Sequence, residues 1–405
     1  RRQGLGLMGT MLHLAFQQPA LAGAAGAVLA TIGQAYALTY GGREQGFIVL
    51  DGVDACAGLD GDLEAHDVMN GADNNTAREA GGGPGREPYT GPLFCLSRPA
   101  TPCPMSIPPR HPRRERLLIV GCGDVGRRVL RLLAGRWRVY VLSSSPQRAA
   151  ELRALGVTPL WGNLDEPASL ARLGGLADRV LHLAPPQAEG QRDQRTRHLL
   201  QALARGRAPT QLVYASTTGV YGDCAGARID ETRATRPATA RAARRVDAEQ
   251  QLRRWGRERG CAVTVLRVPG IYAWDRAGGH PRERLVQGTP VLRAEEDVYT
   301  NHIQADDLAR ACLLALCRGA PQRVLHACDD SALLMGDYFS LAARLCGLPA
   351  PQRISRAEAQ QRFSPMRLSF MGESRRLDNR RLRRELRLRL RYPTPEQGLL
   401  ACETA

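Results

Sequence analysis

Gly121, Gly123 and Gly126 follow the apolar run Leu117-Leu118-Ile119-Val120 and precede Arg127-Arg128-Val129-Leu130-Arg131-Leu132-Leu133. A strand feeding a Gly-x-Gly-x-x-Gly turn that opens a helix suits a pyrophosphate. Gly121 permits the tight turn, Gly123 lets the backbone approach the phosphates, and Gly126 allows the helix to pack closely on the strand. Asp124 and Val125 complete the turn, and the N–H groups of the helix start face the negative charge. Further on, where an acid would hold a ribose 2′-hydroxyl, the second strand ends Ser143-Ser144-Ser145-Pro146-Gln147-Arg148. Ser143, Ser144 and Arg148 suit a 2′-phosphate, which favours NADP over NAD. The alternative for Arg148 is a solvated first-turn residue.

A second group of chemically capable residues is Ser216-Thr217-Thr218-Gly219-Val220-Tyr221, at the end of the apolar run beginning at Gln211. A hydroxyl at the carboxyl end of a sheet strand can bond a carbonyl or alcohol substrate. A Ser/Thr-rich loop satisfying its own backbone is the competing reading.

The elements that must hold these groups alternate between short apolar runs and helical patterns. Leu117–Val120, Arg138–Leu142, Thr158–Trp161, Val180–Leu183, Gln211–Ala215 and Val263–Val268 read as strands. Leu164–Leu173, Gln191–Ala204 and Ala240–Arg257 read as helices. The fold class expected is α/β, a doubly wound parallel sheet with a smaller C-terminal α/β lobe. Residues 105–270 form the dinucleotide-binding domain and 271–405 the substrate lobe, with 301–330 returning to the core of the first.

Composition narrows the chemistry. All 56 basic residues are arginine and none is lysine, which excludes Schiff-base catalysis and a P-loop lysine. The net charge of +16 is concentrated in residues 105–405, with 50 arginines against 30 acids. Such a field favours phosphate-bearing ligands, although arginine without lysine is equally what a GC-rich genome produces. The cysteines include no C-x-x-C pair and no zinc spacing, so free thiols in a reducing cytoplasm and no metal site are expected. Ala20–Tyr40 is a poor membrane span, rich in Ala and Gly and interrupted by Gln34. Residues 1–104 show no sustained period-2 or period-3.6 patterning and are expected to be of low order, and Met105 reads as a natural start, which makes 1–104 an upstream extension unrelated to function.

From 117 to about 400 the chain resembles an atypical extended short-chain dehydrogenase/reductase of the NAD-dependent epimerase/dehydratase family. Beyond the two motifs above, the resemblance rests on Gly162-Asn163-Leu164-Asp165, Asp178-Arg179-Val180-Leu181-His182-Leu183-Ala184, Leu266-Arg267-Val268-Pro269-Gly270-Ile271-Tyr272 and Asn301-His302-Ile303-Gln304-Ala305-Asp306-Asp307-Leu308-Ala309. It implies a Rossmann-type NAD(P)-binding domain, with Asn163 and Leu164 near the adenine. Ala184 and Pro185 would border the cofactor, and Pro269 would lie beside nicotinamide and substrate. The resemblance also exposes a departure. The family's Tyr-x-x-x-Lys pair is missing: Arg241 stands at the tyrosine position and Arg245 at the lysine position, while Thr217 keeps the Ser/Thr position. Arginine stays protonated and cannot shuttle a proton. Arg245 could still bind ribose, Arg241 an anionic substrate group, and Tyr221 is a candidate replacement acid/base. His182 reads as a packed core histidine, and His302 as an outside candidate for chemistry with a structural role favoured.

Two functions follow. One is an NAD(P)-dependent oxidoreductase or epimerase-like enzyme acting on a small, anionic or nucleotide-linked substrate. The other is a non-catalytic NADP(H)-binding sensor or scaffold. A homodimer through Ala240–Arg257 is the expected assembly. Nine arginines between Arg375 and Arg391, threaded by leucines, read as one helical face docked on the substrate lobe and not as a nucleic-acid surface.

Overall fold

The computed structural model describes residues 114–133 and 135–400, and the backbone of two earlier strands, Tyr36–Tyr40 and Arg43–Ile48. The chain divides into two units, Arg1–Cys103 and Pro104–Ala405. In the first, the two strands pair antiparallel, Tyr36 opposite Ile48; sequence patterning anticipates no strand there. The rest of the extension, including the expectation of low order and the start at Met105, lies outside the described residues.

The second unit's strands of three or more residues include runs of consecutive apolar residues, such as Leu117–Val120, that are covered on both faces as buried parallel strands must be. These are β1 (Arg116–Val120), β2 (Arg138–Ser143), β3 (Thr158–Trp161), β4 (Arg179–His182), β5 (Gln211–Thr217), β6 (Ala262–Val268), β7 (Gly270–Tyr272), β8 (His302–Gln304) and β9 (Arg323–His326). A seven-stranded sheet runs β9-β6-β5-β4-β1-β2-β3. All its pairings are parallel, with Leu117 of β1 opposite Val139 on one side and Arg179 on the other. The order reverses between β1 and β4, the switch point where such sheets bind ligands.

Helices α1 (Asp124–Leu132), α2 (Ala149–Ala154), α3 (Gln194–Leu203), α4 (Ala240–Arg259), α5 (Arg282–Val286), α6 (Ala305–Arg318), α7 (Met335–Leu345), α8 (Arg356–Arg362), α9 (Pro365–Met371) and α10 (Arg380–Glu385) supply the covering layers and the second lobe. One core packs Leu117, Ile119 and Val141 with Val129 of α1 and Leu308 and Cys312 of α6. The opposite core packs Leu118 and Val120 with Leu199 of α3 and Leu252 of α4. Thr239 caps α4 by accepting the Ala242 N–H, and Gly260 ends it at φ 65°.

Two expectations need correction. The segment read as a helix over Leu164–Leu173 is a 3-10 stretch starting at Pro167. The arginine-leucine stretch is helical only over Arg380–Glu385, and Arg387 takes φ 52°. Its leucines do not dock on the substrate lobe: Leu382, Leu386 and Leu388 pack with Leu266, Ile303 and Leu325 against the parallel sheet. Extended chain can present alternate residues to one surface as a helix presents every third or fourth. Arginines here pair outward, Arg380 with Asp378 and Arg383 with Asp330, while Glu385 is held by Arg323.

Candidate functional site

The glycine turn has the geometry its sequence demands. Gly121 sits at φ 87°, and a Cβ there would lie 2.7 Å from the backbone nitrogen of Ala184, so both conformation and contact require glycine. Gly123 has open space around it, and as N-cap of α1 it offers no side-chain cap to the free N–H groups. A cradle that is open at Gly123 and bare of capping oxygen fits a pyrophosphate. Val125 packs against the core, and Gly126 would press a Cβ onto Cys122 Sγ at 3.1 Å. Asp124 turns from the cradle to Arg128 and to Arg276, 2.8 Å away, which hold its carboxyl below the ordinary range. Arg128 is buried and also binds Asp306 and Asp275.

Around the cradle, Arg148 donates to the Cys122 carbonyl at 2.9 Å and pairs with Glu151, so it braces the turn. Ser143 caps its own turn by accepting the Ser145 N–H, and Ser144 is exposed. Asn163 spends its side chain on Asp165 N–H and Glu166, and Leu164 is buried in the core. Ala184 N–H donates to Val120, and the Pro185 carbonyl accepts from Arg195.

Beyond the strand ends lies a cavity of about 600 Å³. Its described wall includes Thr217, Thr218, Arg241, Pro269, Gly270, Tyr272 and His302, together with Arg284, Tyr338, Phe339, Phe363, Arg367 and Phe370. Thr217 Oγ1 accepts the Gly219 N–H at 3.3 Å, which leaves its own proton free to donate.

The structure thus brings Thr217, Arg241 and Pro269 to one cavity, and not Tyr221 or Arg245. Tyr221 is 1% exposed. After Thr217 the chain winds into a 3-10 turn, Thr218–Tyr221, which swings the phenol under the cleft wall. There Arg267 donates to its oxygen at 2.6 Å and the phenol meets His326 Nε2 at 2.5 Å, with burial raising its pKa to about 12. Arg245 donates to Tyr214 Oη and the Ala215 carbonyl.

His182 is buried in β4 on Thr196 Oγ1, and burial lowers its pKa to about 3. His302 lies in the cavity wall, where its ring stacks on Tyr338 at 3.9 Å and a side chain on Gly270 would meet its Cδ2 at 3.5 Å. Its Nδ1 is buried without a hydrogen-bond partner among the described residues, and burial lowers its pKa to about 3. Asp329, whose N–H donates to the His302 carbonyl, is driven by burial to about 7.

These shifts carry opposite signs. An imidazole whose native pKa lies below its unfolded value costs stability as pH falls from 6.5 toward 3, because only the unfolded chain takes the proton. A carboxyl with a raised pKa, such as Asp329, costs stability as pH rises from about 4 to 7. His302→Phe keeps the ring stack and removes the imidazole's titration. The variant is expected to lose about 2 kcal/mol less than the parent between pH 7 and pH 5. Urea denaturation at the two pH values measures this, and equal losses would show that His302 is not held neutral.

The cavity residues missed in the sequence are Arg284, Arg367 and the ring set around them. One signal was available: three of the chain's six phenylalanines, Phe339, Phe363 and Phe370, fall within one short stretch.

Residues 117–327 match the NAD dependent epimerase/dehydratase family. This chain belongs to that family. A functionally unknown conserved protein from Silicibacter pomeroyi is 31% identical, at a TM-score of 0.62, over 72% of this chain and 98% of its own. UDP-glucose 4-epimerase from Thermotoga maritima, solved with UDP-glucose, is 20% identical at a TM-score of 0.58, over 70% and 96% of the two chains. A dTDP-glucose 4,6-dehydratase from Streptomyces venezuelae, solved with NAD, is 22% identical at 0.57, over 70% and 94%. Among curated proteins none matches the chain. Family membership agrees with the doubly wound sheet and with an NAD-type nucleotide cofactor. Among the described residues no helix is long and apolar enough to cross a membrane.

Proposed function

We propose that the chain is an NAD(P)-dependent oxidoreductase of the epimerase/dehydratase type, favouring NADP, that acts on a small anionic or nucleotide-linked substrate. The observation that carries this is that Thr217 and Arg241 open into the same cavity as Pro269 and Gly270. Gly121, Gly123 and Gly126 would hold the pyrophosphate, Ser143, Ser144 and Arg148 the ribose phosphate, and the bound nicotinamide would exchange a hydride with substrate. Thr217 donates its free proton to the substrate oxygen. Arg241 binds an anionic group where the family has its tyrosine, and the reaction's proton comes from water or a residue other than the lost pair. The second reading, a non-catalytic NADP(H) sensor, is favoured by one observation: Tyr221 is committed to buried hydrogen bonds and Arg245 to half-buried ones.

Titration of the chain with NADPH and NADH, read by nicotinamide fluorescence and calorimetry, tests the cofactor assignment. Micromolar binding with NADPH preferred supports it; equal affinities remove the 2′-phosphate reading, and no binding removes the oxidoreductase. With a turned-over substrate found by screening, Thr217→Val should abolish turnover and leave NADPH affinity nearly intact. Unchanged turnover takes Thr217 out of the chemistry.

A further inference from the structure

Three guanidinium groups in the cavity are left without work by the chemistry above or share only part of it. Each lies over the ring of a phenylalanine: Arg241 over Phe370 at 4.5 Å, Arg367 over Phe363 at 4.9 Å, and Arg284 over Phe339 at 5.8 Å. The rings fix the cations by their faces and leave the N–H edges unspent. None of the three joins an ion pair found among the described residues, whereas Arg375, on the same cavity, is bound to Glu373 at 2.9 Å. Glu373 is the one carboxylate among the described residues of the cavity wall, and it is taken by Arg375. The crowding of protein atoms and the charge of Arg367 both hold the Arg284 guanidinium below the ordinary arginine range. Two like charges lining one cavity, neither paired with a carboxylate among the described residues, favour an anion there.

The surroundings say what such an anion is attached to. Met335, Met366 and Met371 join Phe339, Phe363 and Phe370 in the wall. Phe370 is 51% exposed and Met366 67% exposed. Exposed aromatic and thioether groups at a cavity mouth gain by covering apolar surface, and methionine adapts to irregular shapes. The same wall carries the hydroxyls of Thr217, Thr218 and Thr239, and Arg241 over Phe370 joins them to the cationic and apolar groups.

We propose that Arg284 and Arg367 bind the carboxylate or phosphate of an amphipathic substrate whose aryl or acyl body packs on the phenylalanines and methionines. The assignment rests on reading this cavity as the substrate's, and it names that substrate as an anion on an apolar body, in preference to a polyhydroxylated sugar nucleotide.

The probe is phenyl phosphate, titrated calorimetrically into the full chain at fixed ionic strength, with benzyl alcohol, inorganic phosphate and UDP-glucose as comparisons. Phenyl phosphate should bind more tightly than either fragment, and Arg284→Gln and Arg367→Gln should each weaken it by about tenfold or more. Arg362→Gln, which removes one exposed charge from α8 outside the cavity wall, should change it less than twofold. Equal weakening by Arg362→Gln would mean diffuse attraction to a basic protein and would overturn the site. So would affinity unchanged in both cavity variants, no phenyl phosphate binding by a chain that binds NADPH, or tighter binding of UDP-glucose through the same two arginines. Circular dichroism of each variant confirms the fold. NADPH titration of the same samples keeps the two readings apart: phenyl phosphate binding without NADPH binding sinks the oxidoreductase and leaves the anion site.

Discussion

Glu249→Ala is expected to destabilise the chain by about 3–5 kcal/mol, the cost of leaving a buried cation without its partner. Glu249 and Arg267 are 3% and 4% exposed. The carboxylate accepts from Arg267 at 2.7 Å and 3.2 Å and from Ser216 Oγ at 2.5 Å. Arg267 donates its remaining NH1 to Tyr221, Tyr221 meets His326 Nε2, and His326 Nδ1 lies 2.9 Å from the Asp378 carbonyl. Proton order along this chain is fixed by its ends. The guanidinium can only donate, so the phenol donates onward to Nε2, and Nδ1 carries the hydrogen that the carbonyl accepts. That arrangement needs a neutral His326, and burial lowers its pKa to about 4. Removing Glu249 leaves the Arg267 charge and the Ser216 hydroxyl unmatched in one step. Replacing both ions together, Glu249→Leu with Arg267→Met, should cost less than Glu249→Ala, because no buried charge is left over. Urea denaturation of the three proteins decides the matter. A loss under 1 kcal/mol for Glu249→Ala would mean that water or another acid reaches Arg267.

Much of the dinucleotide half was readable from local pattern, and the reasons are local too. Leu117–Val120 is apolar at every position, and its short length and the glycine turn that follows favour a strand covered on both faces over a buried helix segment. The glycines after it announce a backbone constraint that no other residue meets. Thr158–Trp161 stands in the structure within the limits that its sequence suggests. Elsewhere the deciding facts are tertiary. Arg241, Arg284 and Arg367 come from three helices separated by dozens of residues, and in each neighbourhood an arginine looks like one more solvated cation. Tyr221 shows the opposite failure. Its distance from Thr217 along the chain suggests the cleft, but a single 3-10 turn redirects it into the network around Arg267. In the arginine-leucine stretch, helical spacing holds only over Arg380–Glu385, and burial of Leu386 and Leu388 beyond it carries the chain along the sheet.

Gly121→Ala and Gly123→Ala are expected to fail in different ways, which makes the pair a sharper test of the cofactor cradle than either alone. At Gly121 the backbone is at φ 87°, and the added methyl would meet Ala184 N at 2.7 Å and Ala184 Cα at 2.8 Å. The left-handed conformation costs about 1–2 kcal/mol for a residue with a Cβ. The overlap adds about 1–3 kcal/mol, since the contacted atoms are backbone of the neighbouring strand's exit and cannot rotate aside. Gly121→Ala should therefore lower stability by about 2–5 kcal/mol and lose NADPH binding with it. Gly123 sits at φ −84°, which alanine tolerates, and a methyl there touches nothing within 4 Å. Its folding cost is limited to an N-cap preference of about 1 kcal/mol or less. The methyl nevertheless stands in the open space before the first N–H groups of α1, where a pyrophosphate must approach. Gly123→Ala should keep its fold and thermal midpoint within a few degrees of the parent while NADPH affinity falls by about a hundredfold. Thermal unfolding and nicotinamide fluorescence on the two variants distinguish the roles. If Gly123→Ala bound NADPH like the parent, the phosphates would lie elsewhere, and the glycine turn would be left with the packing role that Gly121 and Ala184 already define.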